Sequence, residues 1–162
     1  MHRRSKFDNY VCVDASLVVK WLVDEPDSPG ALALLEGWTV QGTGLIAPHL
    51  LDYEVGSVLR KLSARDLLPV DSARERLHLY EALGIELLAP PFLLRRAWEL
   101  SVSHGLYTIY DAAYVALAEL TGTRLYTCDR VLVKALGGAT DMIINPLDTD
   151  PYGGELPLPR GL

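Results

Sequence analysis

Short apolar runs rich in β-branched residues alternate with segments of helical periodicity along most of the chain, and no hairpin turn joins one run to the next. Strands separated by helices pair in parallel, because a crossover of a dozen or more residues returns the chain to the same end of a sheet. The strand-like runs are Tyr10–Val13, Leu45–Ala47, Ile85–Leu88, Arg124–Thr127 and Met142–Ile144. Helices are expected over Ser16–Leu22, Ser28–Leu35, His49–Arg65, Val70–Leu83, Phe92–His104, Ile109–Leu120 and Arg130–Leu136. In the third, Leu51, Val55, Val58 and Leu62 recur every three or four residues and define an amphipathic face. Asp71 is placed to cap the fourth, with Gly84 just past its end, and Gly105 and Gly122 stop the next two. The segment from Ile109 to Leu120 is apolar nearly all round, so that helix is expected to be buried on most sides. The fold class that follows is α/β, a three-layer sandwich with a mainly parallel central sheet.

A length of 162 residues supports one hydrophobic core. We place the main domain at residues 10–147, after a basic extension over 1–9 and before a Pro/Gly-rich tail over 148–162. The longest apolar run, Ala112–Ala118, has seven residues, far short of the roughly 18 that a membrane span needs. No long apolar stretch follows the basic start, so no secretory leader is expected. Cys12 and Cys128 make neither a disulfide framework nor a zinc site and read as reduced, buried thiols, which points to the cytoplasm. The formal charge is −6. A protein that held nucleic acid by charge alone would be basic, so contact with nucleic acid must rest on local basic patches or on cations held by the acids.

Four acids stand out by position. Asp14 and Asp129 lie just past the C-terminal ends of two strand runs, where ligands bind in an open parallel sheet. Asp111 falls in the first turn of the buried helix, and Glu54 in the first half of the His49–Arg65 helix. Capping explains three of them singly: Asp14 and Asp129 each precede a helix, and Thr108-Ile109-Tyr110-Asp111 has capping-box spacing. Glu54 fits no such role. It shares a face with Leu50, Leu51, Val55 and Val58, and no lysine or arginine stands three or four residues away. An inward-facing acid is costly unless it is paired or binds a cation. A cation shared with Asp14, Asp111 and Asp129 accounts for all four positions, and an all-oxygen donor set selects Mg²⁺ or Mn²⁺. Such ions activate water, polarise a phosphoryl group and steady a leaving oxygen.

The local sequences around these acids carry a resemblance. Val13-Asp14-Ala15-Ser16 followed by Lys20-Trp21, Ala47-Pro48 leading to Tyr53-Glu54-Val55, Thr108 to Ala118 around Asp111, and Tyr126-Thr127-Cys128-Asp129 together resemble a PIN domain, in detail the VapC-like toxins of toxin–antitoxin pairs. The resemblance spans Tyr10 to about Ile144. It implies an Mg²⁺-dependent endoribonuclease, with Mn²⁺ as substitute, in which Asp14, Glu54, Asp111 and Asp129 bind metal and carry catalysis. It further implies in-line hydrolysis of RNA to a 5′-phosphate and a 3′-hydroxyl. Thr127 fits a position where the family uses a hydroxyl to orient the site, and Ser16 is expected to support Asp14 rather than act as a nucleophile. The expected partners are RNA, a cognate antitoxin whose basic residue plugs the acidic hole, and a second copy of the chain, with no membrane role. Arg60, Lys61 and Arg65 on one helix are candidate RNA contacts, as are Arg95 and Arg96 on another, although solvated helix faces account for most of them.

Other readings fare worse. His2, His49, His78 and His104 lack the spacing of a metal site. Trp21, Trp38 and Trp98 lie on helical segments and are expected in the core or an interface. A phosphoacceptor receiver domain needs an aspartate ending a central strand and a lysine ending a later one, yet Ile85–Leu88 runs into Ala-Pro-Pro and Met142–Ile144 into Asn-Pro. A haloacid-dehalogenase-type phosphatase needs a second acid two residues beyond Asp14, where Ser16 stands. The alternative that remains is a catalytically silent PIN-fold interaction module.

Overall fold

The computed structural model describes residues 5–136 and 140–148. Five strands, β1 (Tyr10–Val13), β2 (Gly44–Pro48), β3 (Glu86–Leu88), β4 (Arg124–Tyr126) and β5 (Ile143–Ile144), form one sheet in the order β3-β2-β1-β4-β5, with every pairing parallel. The chain lays down β1, moves outward through β2 to β3, then returns to add β4 and β5 on the other side of β1. The order therefore reverses between β1 and β4, which makes the crevice past their C-terminal ends the favoured ligand position. Val11, Cys12 and Val13 of the central strand are at most 4% exposed. Burial on both faces is why this run is continuously apolar rather than alternating.

Seven helices complete the α/β sandwich among the described residues: α1 (Ala15–Leu22), α2 (Ser28–Gln41), α3 (Leu50–Ala64), α4 (Val70–Ala82), α5 (Leu93–Ser103), α6 (Tyr110–Thr121) and α7 (Arg130–Leu136). α6 packs against β1, β2 and β4 and is covered by α5, while α1 lies against α2 and α3. Ala112, Val115, Ala116, Leu117 and Ala118 of α6 are all buried, as its all-round apolar character requires. Among the described residues, no helix is long and apolar enough to cross a membrane.

Several sequence expectations need correction. α2 runs to Gln41 rather than stopping at Leu35, because Trp38 anchors its last turns edge-on against Trp21 and Tyr126, with ring centroids 6.3 and 4.8 Å away. Gly42, at φ 66°, then ends the helix in the left-handed conformation that glycine adopts without strain. Asp71 does not cap α4. Pro69 holds the cap position and its carbonyl accepts from Ala73 N–H at 2.9 Å, while Asp71 sits in the first turn beside Arg74. Thr108 does not cap α6 either; Ile109 precedes the helix and no side chain caps it. The buried line of α3 runs through Leu51, Val55, Leu59 and Ser63, with Val58 half-buried and rotated toward an adjoining cavity. Of the two places expected for Trp98, core or interface, its 64% exposure on α5 removes the core. Cys128 is only partly buried, since it lies in the loop after β4 and not within the strand.

Of the basic extension, residues 5–9 are described: Phe7 packs edge-on against Tyr10, and Lys6 pairs with Glu86 at 3.1 Å. His2 and, apart from Asp148, the expected tail lie outside the described residues.

Candidate active site

Asp14 stands where β1 ends and α1 begins, and its neighbours hold it from three directions. Its Oδ1 accepts from Leu17 N–H at 3.1 Å and from Ser16 Oγ at 2.7 Å, and its Oδ2 accepts from the Thr127 hydroxyl. The Leu17 bond is a helix cap, so capping and burial at the sheet edge coincide in one residue. The Thr127 hydroxyl also accepts the Asp129 N–H at 3.0 Å, and Ser16 Oγ accepts the Cys128 N–H at 2.9 Å. Ser16 and Thr127 therefore lace the loop after β4 to the start of α1. Asp129 caps α7 through Oδ1, which accepts from Val131 N–H at 2.8 Å and Leu132 N–H at 3.1 Å.

Asp14, Glu54, Asp111 and Asp129 all line one cavity of about 890 Å³, with Ser16, Lys20, Lys61, Tyr53, Tyr110 and Tyr114 among the other walls. Glu54 belongs to a strip of α3 that runs through Ser57, Val58 and Lys61 beside the buried line, so it faces the cavity and not the packed core. Its partner is the Tyr114 hydroxyl of α6, which donates to Oε2 at 2.8 Å. Sequence reasoning had no candidate for this partner.

The electrostatics tie the acids together. Asp14, 5% exposed, is pushed up to about 6, first by burial, against the pull of its hydrogen bonds to Thr127, Ser16 and Leu17, with the Asp129 charge adding to the rise. Glu54 is raised by burial and by the charges of Asp14 and Asp111, opposed by the Tyr114 bond. Asp111 is raised by burial and by the Asp129 charge. Each raised acid feels at least one of the others. Burial and the Glu54 charge also keep the Tyr114 hydroxyl protonated and donating, by raising it far above the usual phenol range. Burial lifts the Cys12 thiol and pushes Cys128 up to about 12, so neither is a ready nucleophile.

Among the described residues, no group of three or more His, Cys, Asp or Glu side chains stands close enough together to hold a metal ion as placed. The donor set nonetheless fits a hard ion that keeps most of its waters, because Mg²⁺ commonly takes only one or two carboxylates from a protein. An ionised carboxylate has about four lone-pair sites. Asp14 uses three of them within the fold, Asp129 has Oδ2 uncommitted and Glu54 has Oε1 uncommitted, while Asp111 makes no hydrogen bond with the described residues. Acceptor capacity is thus left over, charge is concentrated, and among the described residues the basic side chains lining the space are Lys20 and Lys61.

The remaining candidates divide. Lys61 lines the cavity, whereas Arg60 and Arg65 are exposed on α3 and at its end, outside the lining. Arg95 lies over the Phe92 ring, and Arg96 pairs with Glu119 at 2.6 Å. His49, His78 and His104 take no part in the lining. Lys20 was absent from the sequence-based candidates; it stands four residues after Ser16, one turn along the same face of α1, and is paired with Glu25 at 2.6 Å and Asp27 at 2.7 Å. Tyr53 and Tyr110, each one residue before an acid, were also absent; they are 79% and 59% exposed.

Comparison with known proteins agrees with this fold. A PIN domain model matches residues 11–136. The chain is 38% identical over 126 residues to Ribonuclease VapC3 of Pyrobaculum aerophilum, covering 75% of this chain and 91% of that protein. It is 37% identical over 127 residues to Ribonuclease VapC1 of Mycobacterium tuberculosis, covering 77% of this chain and 90% of that protein. The crystal structure of PAE2754 from Pyrobaculum aerophilum is similar at a TM-score of 0.62 and 30% identity, covering 87% of this chain and 91% of that one. The protein accordingly belongs to the PIN-domain family, as one of its VapC-like members.

Proposed function

We propose that the protein is a divalent-metal-dependent endoribonuclease, the toxin of a toxin–antitoxin pair. The observation that carries this reading is that four carboxylates line one cavity at the switch point of the sheet, three of them raised by burial and by the charge of another of the four. The relatives named as VapC ribonucleases support it. Asp14, Glu54, Asp111 and Asp129 would hold Mg²⁺, one or two of them directly and the others through its waters, with Mn²⁺ as substitute; when bound, the ion would supply charge neutralisation at the phosphodiester and activation of water. The chain's own residues do the rest. Thr127 and Ser16 fix Asp14, Leu17 N–H holds its Oδ1, and Thr127 couples the loop bearing Asp129 to the same carboxylate. Lys61 is a cation on the wall to meet a flanking phosphate, whereas Lys20 is already held by Glu25 and Asp27, and the exposed faces of Tyr53 and Tyr110 suit stacking by unpaired bases.

Cleavage would proceed in line, leaving a 5′-phosphate and a 3′-hydroxyl, in the cytoplasm where RNA is met. The partners we propose are an antitoxin that inserts a basic residue among the acids, complementary to their charge, and a second copy of the chain. The test is incubation of total RNA with the purified protein under chelation and then with Mg²⁺, Mn²⁺ or Ca²⁺, beside Asp111→Asn. Cleavage is expected with Mg²⁺ and Mn²⁺, poorly with Ca²⁺ because of its longer and looser coordination, and not with Asp111→Asn. Full cleavage in excess chelator, or by Asp111→Asn, would overturn the reading.

A further inference from the structure

A hydroxyl inside an otherwise apolar helix is costly unless it is partnered. Tyr114 is 1% exposed and sits on α6 among buried Ala112, Val115, Leu117 and Ala118, a setting that phenylalanine or leucine would fill at no such cost. Its hydroxyl has one protein partner among the described residues, Glu54 Oε2 at 2.8 Å, reached across 60 positions of sequence. Glu54 in turn has no ion pair and no second hydrogen-bond donor among the described residues. Glutamate is a long side chain with three torsions, and this single bond is what selects its direction. The bond also divides the carboxylate, committing Oε2 to the protein and leaving Oε1 open. Tyr114 lies three residues after Asp111 and lines the same cavity. One helix turn of α6 thus presents an acid and the group that aims the acid of α3.

We propose that Tyr114 is a positioning residue that orients Glu54 for the divalent ion, acting through the carboxylate and not on the substrate. This rests on the metal site in the function proposed above. Outer partners that orient metal ligands typically contribute about 10–100-fold in metal affinity. That contribution is expected from the Tyr114 hydroxyl alone, since the ring is already held by the core.

The experiment is titration calorimetry of Mn²⁺ into four folded proteins: the parent, Tyr114→Phe, Glu54→Gln and the double variant, each also melted in chelator and assayed on RNA. Tyr114→Phe is expected to melt cooperatively in chelator, to bind Mn²⁺ about tenfold more weakly, and at saturating RNA and subsaturating Mn²⁺ to lose kcat rather than gain KM for RNA. In the Glu54→Gln background the same change should alter Mn²⁺ affinity less than twofold, because the amide oxygen that Tyr114 would still hold carries no charge and leaves no second oxygen for the ion. A scaffold role would lower the melting temperature and leave the Mn²⁺ affinity of the folded protein unchanged. Equal affinity in parent and Tyr114→Phe, an equal loss in both backgrounds, or loss of the cooperative melt would each overturn the proposal while leaving the ribonuclease reading intact. A parent that binds no Mn²⁺ overturns the metal site and this inference together. A parent that binds Mn²⁺ but cuts no RNA removes the ribonuclease reading, and the calorimetry still decides Tyr114.

Discussion

Asp14→Asn should stabilise the metal-free protein, although Asp14 caps a helix and accepts three hydrogen bonds. The carboxyl is 5% exposed and its pKa rises from 3.8 to about 6 even with those bonds in place. A folded value above the unfolded one means that the protonated form is favoured in the fold. The stability this brings is complete below pH 3.8, declines as pH rises through about 6, and is absent at pH 7. The ionised form at pH 7 is therefore disfavoured by on the order of 3 kcal/mol. An amide escapes that penalty and still accepts from Leu17 N–H and Ser16, but the Thr127 hydroxyl must turn from donor to acceptor, at about 1 kcal/mol. The net gain is about 2 kcal/mol, which for a chain of this size raises the melting temperature by about 4–8 °C. The assay is thermal unfolding of both proteins in chelator between pH 4 and 8. The gain should grow across pH 4 to 6, level off above, and be offset in the parent alone by added Mn²⁺, since a ligand that binds only the folded state stabilises it. A variant that melts below the parent at pH 7, or whose gain is the same at pH 4, would show that Asp14 is held as a structural cap without charge stress.

Three further outcomes follow from the same geometry. Glu54→Gln should raise the melting temperature in chelator by less than Asp14→Asn does, because Glu54 is half-exposed and its repulsion is partly screened, and it should weaken the rise that Mn²⁺ produces; unfolding scans with and without Mn²⁺ check both. Thr127→Val keeps the side-chain shape, removes the bond to Asp14 Oδ2, lifts Asp14 further and leaves the Asp129 N–H unpaired; by calorimetry it should lose more Mn²⁺ affinity at pH 6 than at pH 8, and by denaturant unfolding about 1–3 kcal/mol of stability. Mn²⁺ affinity of the parent should climb up to about tenfold per pH unit below the Asp14 value of about 6 and flatten above it, which titrations at pH 5, 6, 7 and 8 would reveal.

The sheet was legible because its strands are short, apolar and bracketed by breakers: Pro48 closes β2 and Gly122 separates α6 from β4. Errors gathered at helix ends, where a tertiary contact outweighs local signals. α2 passes its expected stop because of Trp38 against Trp21 and Tyr126, an attachment that joins residues far apart in sequence. The expected caps at Asp71 and Thr108 rested on residue type alone, and the backbone chose otherwise. The acids read as a set in the sequence because Glu54 has no local partner, and the four line one cavity. Tyr114 escaped notice for the complementary reason. In a helix that reads as solid core, a tyrosine differs from a phenylalanine by one oxygen, and only the approach of α3 gives that oxygen a use. Lys20 figures in the sequence only as part of the motif after Asp14, and its place on the cavity wall comes from the packing of α1 beside α3.

What remains to be seen at atomic detail is the one divalent-ion site proposed for Asp14, Glu54, Asp111 and Asp129. Anomalous scattering from a crystal of the parent grown or soaked with Mn²⁺ tests it most directly. The proposed site predicts a strong peak inside the cavity, among these four carboxylates and beside Tyr114, that disappears in Asp111→Asn. Peaks only elsewhere on the molecule, or a cavity peak unchanged in Asp111→Asn, would contradict it.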